Sequence, residues 1–327
     1  MNDHAARVAA EIEHYRQVTN IHDLPDIFHY WSNKYLAPHV NEVFGTPNLH
    51  EALANELQAA LIAANAGPHI VSIGAGDGSV EIGLAKRMLD AGFNAFRFHC
   101  VELNPHLAER GEASAKQAGL GDHIAFEVAD LSSWRARQTY GGAFAHHSLH
   151  HIESLEHVFD QVRLSLAPEG AFVISDMIGR NGHMRWPETL APIERLWAVI
   201  PERYKFHHLW GRVVDPYDNW DCSGHGFEGI RAQDIMPCLI ERFHFRKLCV
   251  WGSVLDPFID RAYGHNLDPT KAEDTTFIDR LWALDCAMVA ARAATPTQIV
   301  ATLTKGQSPM LASSFGLSAQ DCVRLAR

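Results

Sequence analysis

Residues 69–85 read His-Ile-Val-Ser-Ile-Gly-Ala-Gly-Asp-Gly-Ser-Val-Glu-Ile-Gly-Leu-Ala, and this stretch constrains the fold more than any other. Ile70, Val71 and Ile73 make a short apolar run that suits a buried strand. Gly74, Gly76 and Gly78 then permit a tight turn and let a ligand approach the main chain. Val80, Ile82, Leu84 and Ala85 carry the chain into a helix. A strand, a glycine turn and a helix start collect backbone N–H groups and the positive end of a helix dipole at one point. Ser72, Gly74, Ala75, Gly76, Asp77 and Gly78 are therefore candidate contacts for a nucleotide-like ligand. The spacing is G-x-G-x-G and departs from the dinucleotide-binding G-x-G-x-x-G, because position 79 is Ser.

Strands and helices alternate around this unit. Strands are expected at 69–73, 96–103, 123–129, 142–147, 171–176, 245–252 and 297–304, the last of them antiparallel. Helices are expected at 79–91, 105–118, 153–166, 231–243 and 277–292. Pro168, Glu169 and Gly170 read as a turn, and 256–275 as a loop. The pattern predicts an α/β fold with a doubly wound, mostly parallel seven-stranded sheet. Two segments stand outside it. Residues 1–66 read as a helical cap, with helices over 3–18 and 48–65. The second of these places Leu49, Leu53, Leu57, Leu61 and Ile62 on one face. Residues 177–230 are too long and too aromatic for a simple connection and read as an inserted lid. The ligand-binding core would then span 67–176, and 231–327 would complete it.

With 47% hydrophobic residues among 327, the chain can bury a sizeable core. A net charge of −11 without a basic stripe argues against nucleic acid or an anionic membrane surface as a partner. The six cysteines lie far apart with no C-x-x-C pair. No apolar run reaches membrane-spanning length, and the first residues lead into a charged amphipathic segment unlike a signal peptide. These features predict a cytoplasmic protein in a reducing compartment.

Three groups follow the glycine turn at informative places. The second strand ends on Glu102 and Leu103, where a carboxylate can accept hydrogen bonds from both hydroxyls of a ribose. The third ends near Asp130, a carboxylate that, beside the apolar Leu131, suits an exocyclic adenine amine. The fourth runs into His146, His147, Ser148, Leu149, His150 and His151. In a helix, His146/His150 and His147/His151 would be i, i+4 pairs able to chelate a metal. No H-E-x-x-H frame or acidic cluster accompanies them, so no metal is expected. A general base among His147, His150 and His151 is the alternative to plain packing.

Together these residues resemble the class I S-adenosylmethionine-dependent methyltransferases of the small-molecule type, closely over 69–176 and loosely to about residue 304. The resemblance implies a Rossmann-like fold and S-adenosylmethionine as cofactor. It gives Gly74, Gly76 and Gly78 the amino-acid part of that cofactor, Glu102 the ribose, Asp130 the adenine amine, and the Leu149-His150-His151 segment a place beside the sulfonium, with His146 a further cofactor contact. It implies methyl transfer to the O, N or C atom of a small organic acceptor, as in a biosynthetic step. The family usually carries an acidic residue two positions before the first glycine. This chain has Ser72, with Asp77 and Glu81 placed to compensate. A methyltransferase-like binding adapter and an NAD-dependent oxidoreductase are the alternative readings.

The acceptor pocket is expected between the sheet edge, the cap and the lid. Trp31 and Tyr35 in the cap, with Trp186, Trp210 and Trp220 in the lid, are its candidate walls. Glu228 and Arg231 precede a helix that should return to the same edge. The aromatic N-terminal helices also offer a contact for a homodimer.

Overall fold

The computed structural model describes residues 3–17, 24–224 and 226–324. Residues 1–2, 18–23, 225 and 325–327, which belong to the expected cap, lid and tail, lie outside the described residues.

The amino-terminal part is helical: α1 (Asp3–Gln17), α2 (Asp26–Trp31), a π-helical turn (Ser32–Leu36), α3 (Ala37–Phe44) and α4 (Leu49–Ala64). The side chain of Asn48 caps α4 by accepting from the Glu51 N–H at 3.1 Å, and left-handed Asn65 ends it. Leu53, Leu57 and Leu61 are buried, and α4 packs on the central sheet. Ile62, expected on the same face, is exposed.

The alternating region contains β1 (His69–Ile73), α5 (Ser79–Asp90), β2 (Arg97–Glu102), α6 (Pro105–Gln117), β3 (Ile124–Val128), β4 (Tyr140–His146), α7 (Leu155–Ser165) and β5 (Leu166–Met177). The expected turn at 168–170 lies inside β5. It appears there as a register shift, with Tyr140 opposite Leu166 but Gly142 opposite Ala171.

The lid contains α8 (Pro187–Trp197) and a two-residue hairpin of β6 (Phe206–His207) with β7 (Arg212–Val213). Then come α9 (Ile235–Ile240), β8 (His244–Trp251), α10 (Asp256–Ile259), α11 (Ala272–Ala290), β9 (Gln298–Thr304) and β10 (Ala312–Ser313). The helix expected over 231–243 is thus shorter, and the loop expected over 256–275 contains α10 and the start of α11.

Eight strands, one more than expected, form the main sheet in the order β10-β8-β9-β5-β4-β1-β2-β3. The extra strand is β10, two residues that pair parallel to β8. Only β9 runs antiparallel to its neighbours, as expected. Alternate residues feed two cores. Ile70, Phe98, Phe144 and Val173 face the N-terminal helices, whereas Val71, Val101, Ala145 and Ile174 face α7 and α9. Each fully buried large aliphatic side chain among them contributes on the order of 1.5–3 kcal/mol. Strand order reverses between β1 and β4, which opens a crevice at the carboxyl ends of the parallel strands. No helix among the described residues is long and apolar enough to cross a membrane.

Candidate active site

The glycine turn sits at this crevice. Gly74, Gly76 and Gly78 adopt φ of 64°, 58° and 68°, which L side chains strongly disfavour. The three differ in what surrounds them. A Cβ on Gly74 would lie 2.7 Å from Ser148 Cβ, and one on Gly78 would lie 2.6 Å from the Phe126 ring. A Cβ on Gly76 would enter open space at the cavity wall. Gly74 and Gly78 therefore pack the turn, and Gly76 presents bare backbone to a ligand.

Ser72, where the family expects an acid, donates a 2.5 Å hydrogen bond to the Glu81 carboxylate on α5. Glu81 is 2% exposed, and burial raises its pKa to about 7 against the Ser72 hydrogen bond. A buried acid on the helix that follows the turn thus backs Ser72 from outside the cavity lining. Asp77 accepts from the Ser79 N–H in an Asx-turn that leads into that helix, whose N-cap is Gly78.

Glu102, at the end of β2, accepts from the N–H groups of Gly76 and Asn104, both at 2.8 Å. Burial raises its pKa and those two bonds oppose the rise. A carboxylate has four lone-pair sites, so ribose hydroxyls can still be accepted. Asp130 accepts from Ser132 N–H, and its other oxygen meets His4 Nε2 of α1 at 2.8 Å. His4 Nδ1 meets Glu153 at 2.8 Å, and both carboxylates raise the His4 pKa. Burial works against the Asp130 charge, yet the His4 and Ser132 bonds hold its pKa below the usual value.

The histidine run is not a helix. His146 ends β4, His147 has φ of 47°, and Leu149–His151 form a single 3₁₀ turn. The i, i+4 chelating pairs therefore do not form, because the left-handed residue breaks helical spacing. Asp176 near the end of β5 organises the turn. Its carboxylate accepts from the N–H groups of Ser148, Leu149 and Met177 and meets His150 Nδ1 at 2.6 Å. Burial disfavours charge on His150, but the attraction of Asp176 and bonds to Asp176 and Glu228 raise its pKa to about 10. Burial lowers His147 to about 4.

From the lid side, Glu228 approaches three imidazoles. Its carboxylate lies 3.5 Å from His150 Nε2, 3.3 Å from His151 Nε2 and 2.6 Å from His183 Nε2. Burial opposes its charge, and hydrogen bonds from His150 and His183 hold its pKa well below the carboxylate range. His183 was not singled out in the sequence. The signal that marks it is the Gly182–His183 pair after β5, a place where a buried turn needs positive φ.

One cavity of about 800 Å³ joins these groups. Gly74, Ala75, Gly76, Asp77, Glu102, Leu103, Asp130 and Leu131 line one part, and His146, His147, His150 and His151 another. Ser72 and Gly78 shape the turn from outside the lining. Among the candidate acceptor contacts, Trp31, Trp210 and Trp220 line the cavity, whereas Tyr35 and Trp186 do not. Tyr35 stacks on Trp282, and Trp186 lies beneath Arg180 and Arg324. Trp31, also buried, packs edge-on to Trp282.

The family model described as a methyltransferase domain matches residues 70–170. Sterol 4-C-methyltransferase strm-1 of Caenorhabditis elegans is 27% identical over 157 residues, which are 48% of this chain and 43% of that protein. The chain thus spans less than half the length of this curated relative. Geranyl diphosphate C-methyltransferase from Streptomyces coelicolor A3(2) is 14% identical with a TM-score of 0.44, over 80% of this chain and 78% of that one. An S-adenosylmethionine dependent methyltransferase from Mesorhizobium loti is 17% identical with a TM-score of 0.43, over 79% and 98%. Residues 70–170, which open on the glycine turn, are thus similar to a methyltransferase domain.

Proposed function

We propose that the protein transfers the methyl group of S-adenosylmethionine to a small organic acceptor by in-line displacement. The observation that carries this reading is the single cavity: bare Gly76 backbone, Glu102 and Asp130 line it together with the histidine turn and Trp210 of the lid. The open space at Gly76 fits the amino-acid part of the cofactor, and the remaining lone pairs on the two Glu102 oxygens fit its ribose. When bound, the cofactor supplies a methyl carbon already activated by its sulfonium. The chain's own residues hold the reactants. Leu103 and Leu131 flank the adenine position, and Asp130 offers it a carboxylate that His4 shares. Ser148, anchored through Oγ to the Ile73 carbonyl at 2.6 Å, ties the histidine turn to the glycine turn. The two reacting ends are thereby kept in register.

The acceptor meets His150, His151 and Glu228, with Trp31, Trp210 and Trp220 as apolar walls. Of the imidazoles considered as base, His150 has Asp176 behind it, and His147 has its pKa lowered. The six cysteines carry no cross-link, which supports work in a reducing cytoplasm.

Calorimetry with S-adenosylhomocysteine tests the cofactor assignment. Saturable binding that Glu102→Ala weakens by at least about tenfold, roughly the worth of one hydrogen bond to a charged group, is expected. Displacement by a nicotinamide dinucleotide would favour the oxidoreductase reading, and turnover with no acceptor in a broad panel of alcohols, amines and activated carbons would favour the adapter.

A further inference from the structure

We propose that His150, His183 and Glu228 form a binding site for one divalent first-row transition-metal ion of the zinc class, open to the cavity. Their donor atoms, His150 Nε2, His183 Nε2 and a Glu228 oxygen, lie within 4.8 Å of one another. Tetrahedral coordination at about 2.0–2.2 Å separates donors by roughly 3.4 Å, so small side-chain movements admit the ion. Two imidazoles and one carboxylate, with the remaining position facing a cavity, are the donor set of catalytic rather than structural zinc sites.

Two further observations point to a built site. His150 presents Nδ1 to Asp176 at 2.6 Å, which fixes the ring and aims Nε2 outward. A carboxylate behind a ligating imidazole is the common outer support of such sites. Asp176 is itself buried and locked by three backbone N–H groups.

The other two ligands are brought in by strained, close-packed backbone. His183 has φ of 54° and follows Gly182, also at positive φ. The Gly182 N–H donates to the Gly229 carbonyl at 2.9 Å, directly beside Glu228. A Cβ on Gly229 would lie 3.1 Å from Gly182 N, and one on Gly182 would collide with the Asp221 side chain. Backbone strain of this kind persists where the surroundings over-determine a functional geometry. Here it places two side chains from distant segments on one point beside His150. In the methyl-transfer reading, an ion there would hold an acceptor oxygen and lower its pKa. That role rests on the proposed function; the binding does not.

The test uses the full chain, stripped with chelator and titrated with Zn²⁺ by calorimetry, with elemental analysis after desalting. One ion per chain is expected. Glu228→Gln and His183→Ala should each abolish stoichiometric uptake. Asp176→Asn should weaken it about 10–100-fold, as outer-shell changes do. His208→Ala, an exposed histidine bonded to Asn266, should change nothing. If a variant fails to fold, X-ray absorption of the zinc-loaded native chain decides, with two imidazole nitrogens and oxygen expected. No stoichiometric uptake, uptake that survives in folded Glu228→Gln and His183→Ala, or a sulfur shell from cysteine would overturn the site. The first of these would leave protons as what holds the cluster together. S-adenosylhomocysteine binding to the stripped chain separates the outcomes, because the cofactor site can then succeed while the metal site fails.

Discussion

Glu81 offers a sharp test of the electrostatics under the glycine turn. Its carboxyl is buried, one oxygen is held by Ser72, and the other meets no partner among the described residues. Burial raises its pKa from 4.5 to about 7. The folded state therefore binds the proton more tightly than the unfolded chain. The resulting stability is fully present below pH 4.5 and is lost as pH rises through about 7. A difference of about 2.5 pH units, at about 1.4 kcal/mol each, makes the loss about 3 kcal/mol. Glu81→Gln keeps an acceptor for Ser72 and removes the titration. In urea unfolding, the variant should match the native chain near pH 4 and be more stable by about 3 kcal/mol at pH 8. Asp285 and Asp260, raised to about 7 and about 6, slope the native curve the same way but cancel in the difference. A difference that does not change with pH, or a variant less stable at pH 8, would refute the reasoning.

Other outcomes follow from the same geometry. Gly76→Ala should lower stability by only about 1–2 kcal/mol of backbone strain while weakening S-adenosylhomocysteine binding. Gly74→Ala should lose a further roughly 1–3 kcal/mol to the clash with Ser148, read as a lower urea midpoint. Asp176→Ala strands His150 and three N–H groups, and should cost about 3–5 kcal/mol in thermal or urea unfolding. Leu57→Ala, outside the cavity lining and fully buried, should lower stability by about 2–5 kcal/mol and leave ligand affinity unchanged.

What could be read in advance was local. The strand–turn–helix at 69–85 announces itself because glycines, apolar residues and the helix start are contiguous. Glu102 and Asp130 were legible because one ends β2 and the other follows β3 by two residues, and parallel pairing brings both strand ends to the same edge. The substitution at Ser72 looked like a departure, and its partner is nine residues on, within reach only once α5 folds back on β1. The histidine run suggested helical chelation because spacing alone does not reveal that His147 is left-handed. The pairing of His183 with Glu228, 45 residues apart, depends on Gly182 packing against Gly229, which no periodicity encodes. Aromatic content marked the lid but not its orientation. Trp197 and Tyr204 are core, with the Trp197 N–H on the Val214 carbonyl, whereas Trp210 and Trp220 reach the cavity. The two-residue β10 is too short to carry a pattern at all.

The central claim is that the turn, Glu102 and Asp130 form one methyl-donor site. Titration of the full chain with S-adenosylmethionine, in parallel with Glu102→Ala and Asp130→Ala, tests it most directly. The account predicts one saturable site per chain, weakened in both variants while each remains folded. No binding to the native chain, or binding that neither substitution alters, would contradict it.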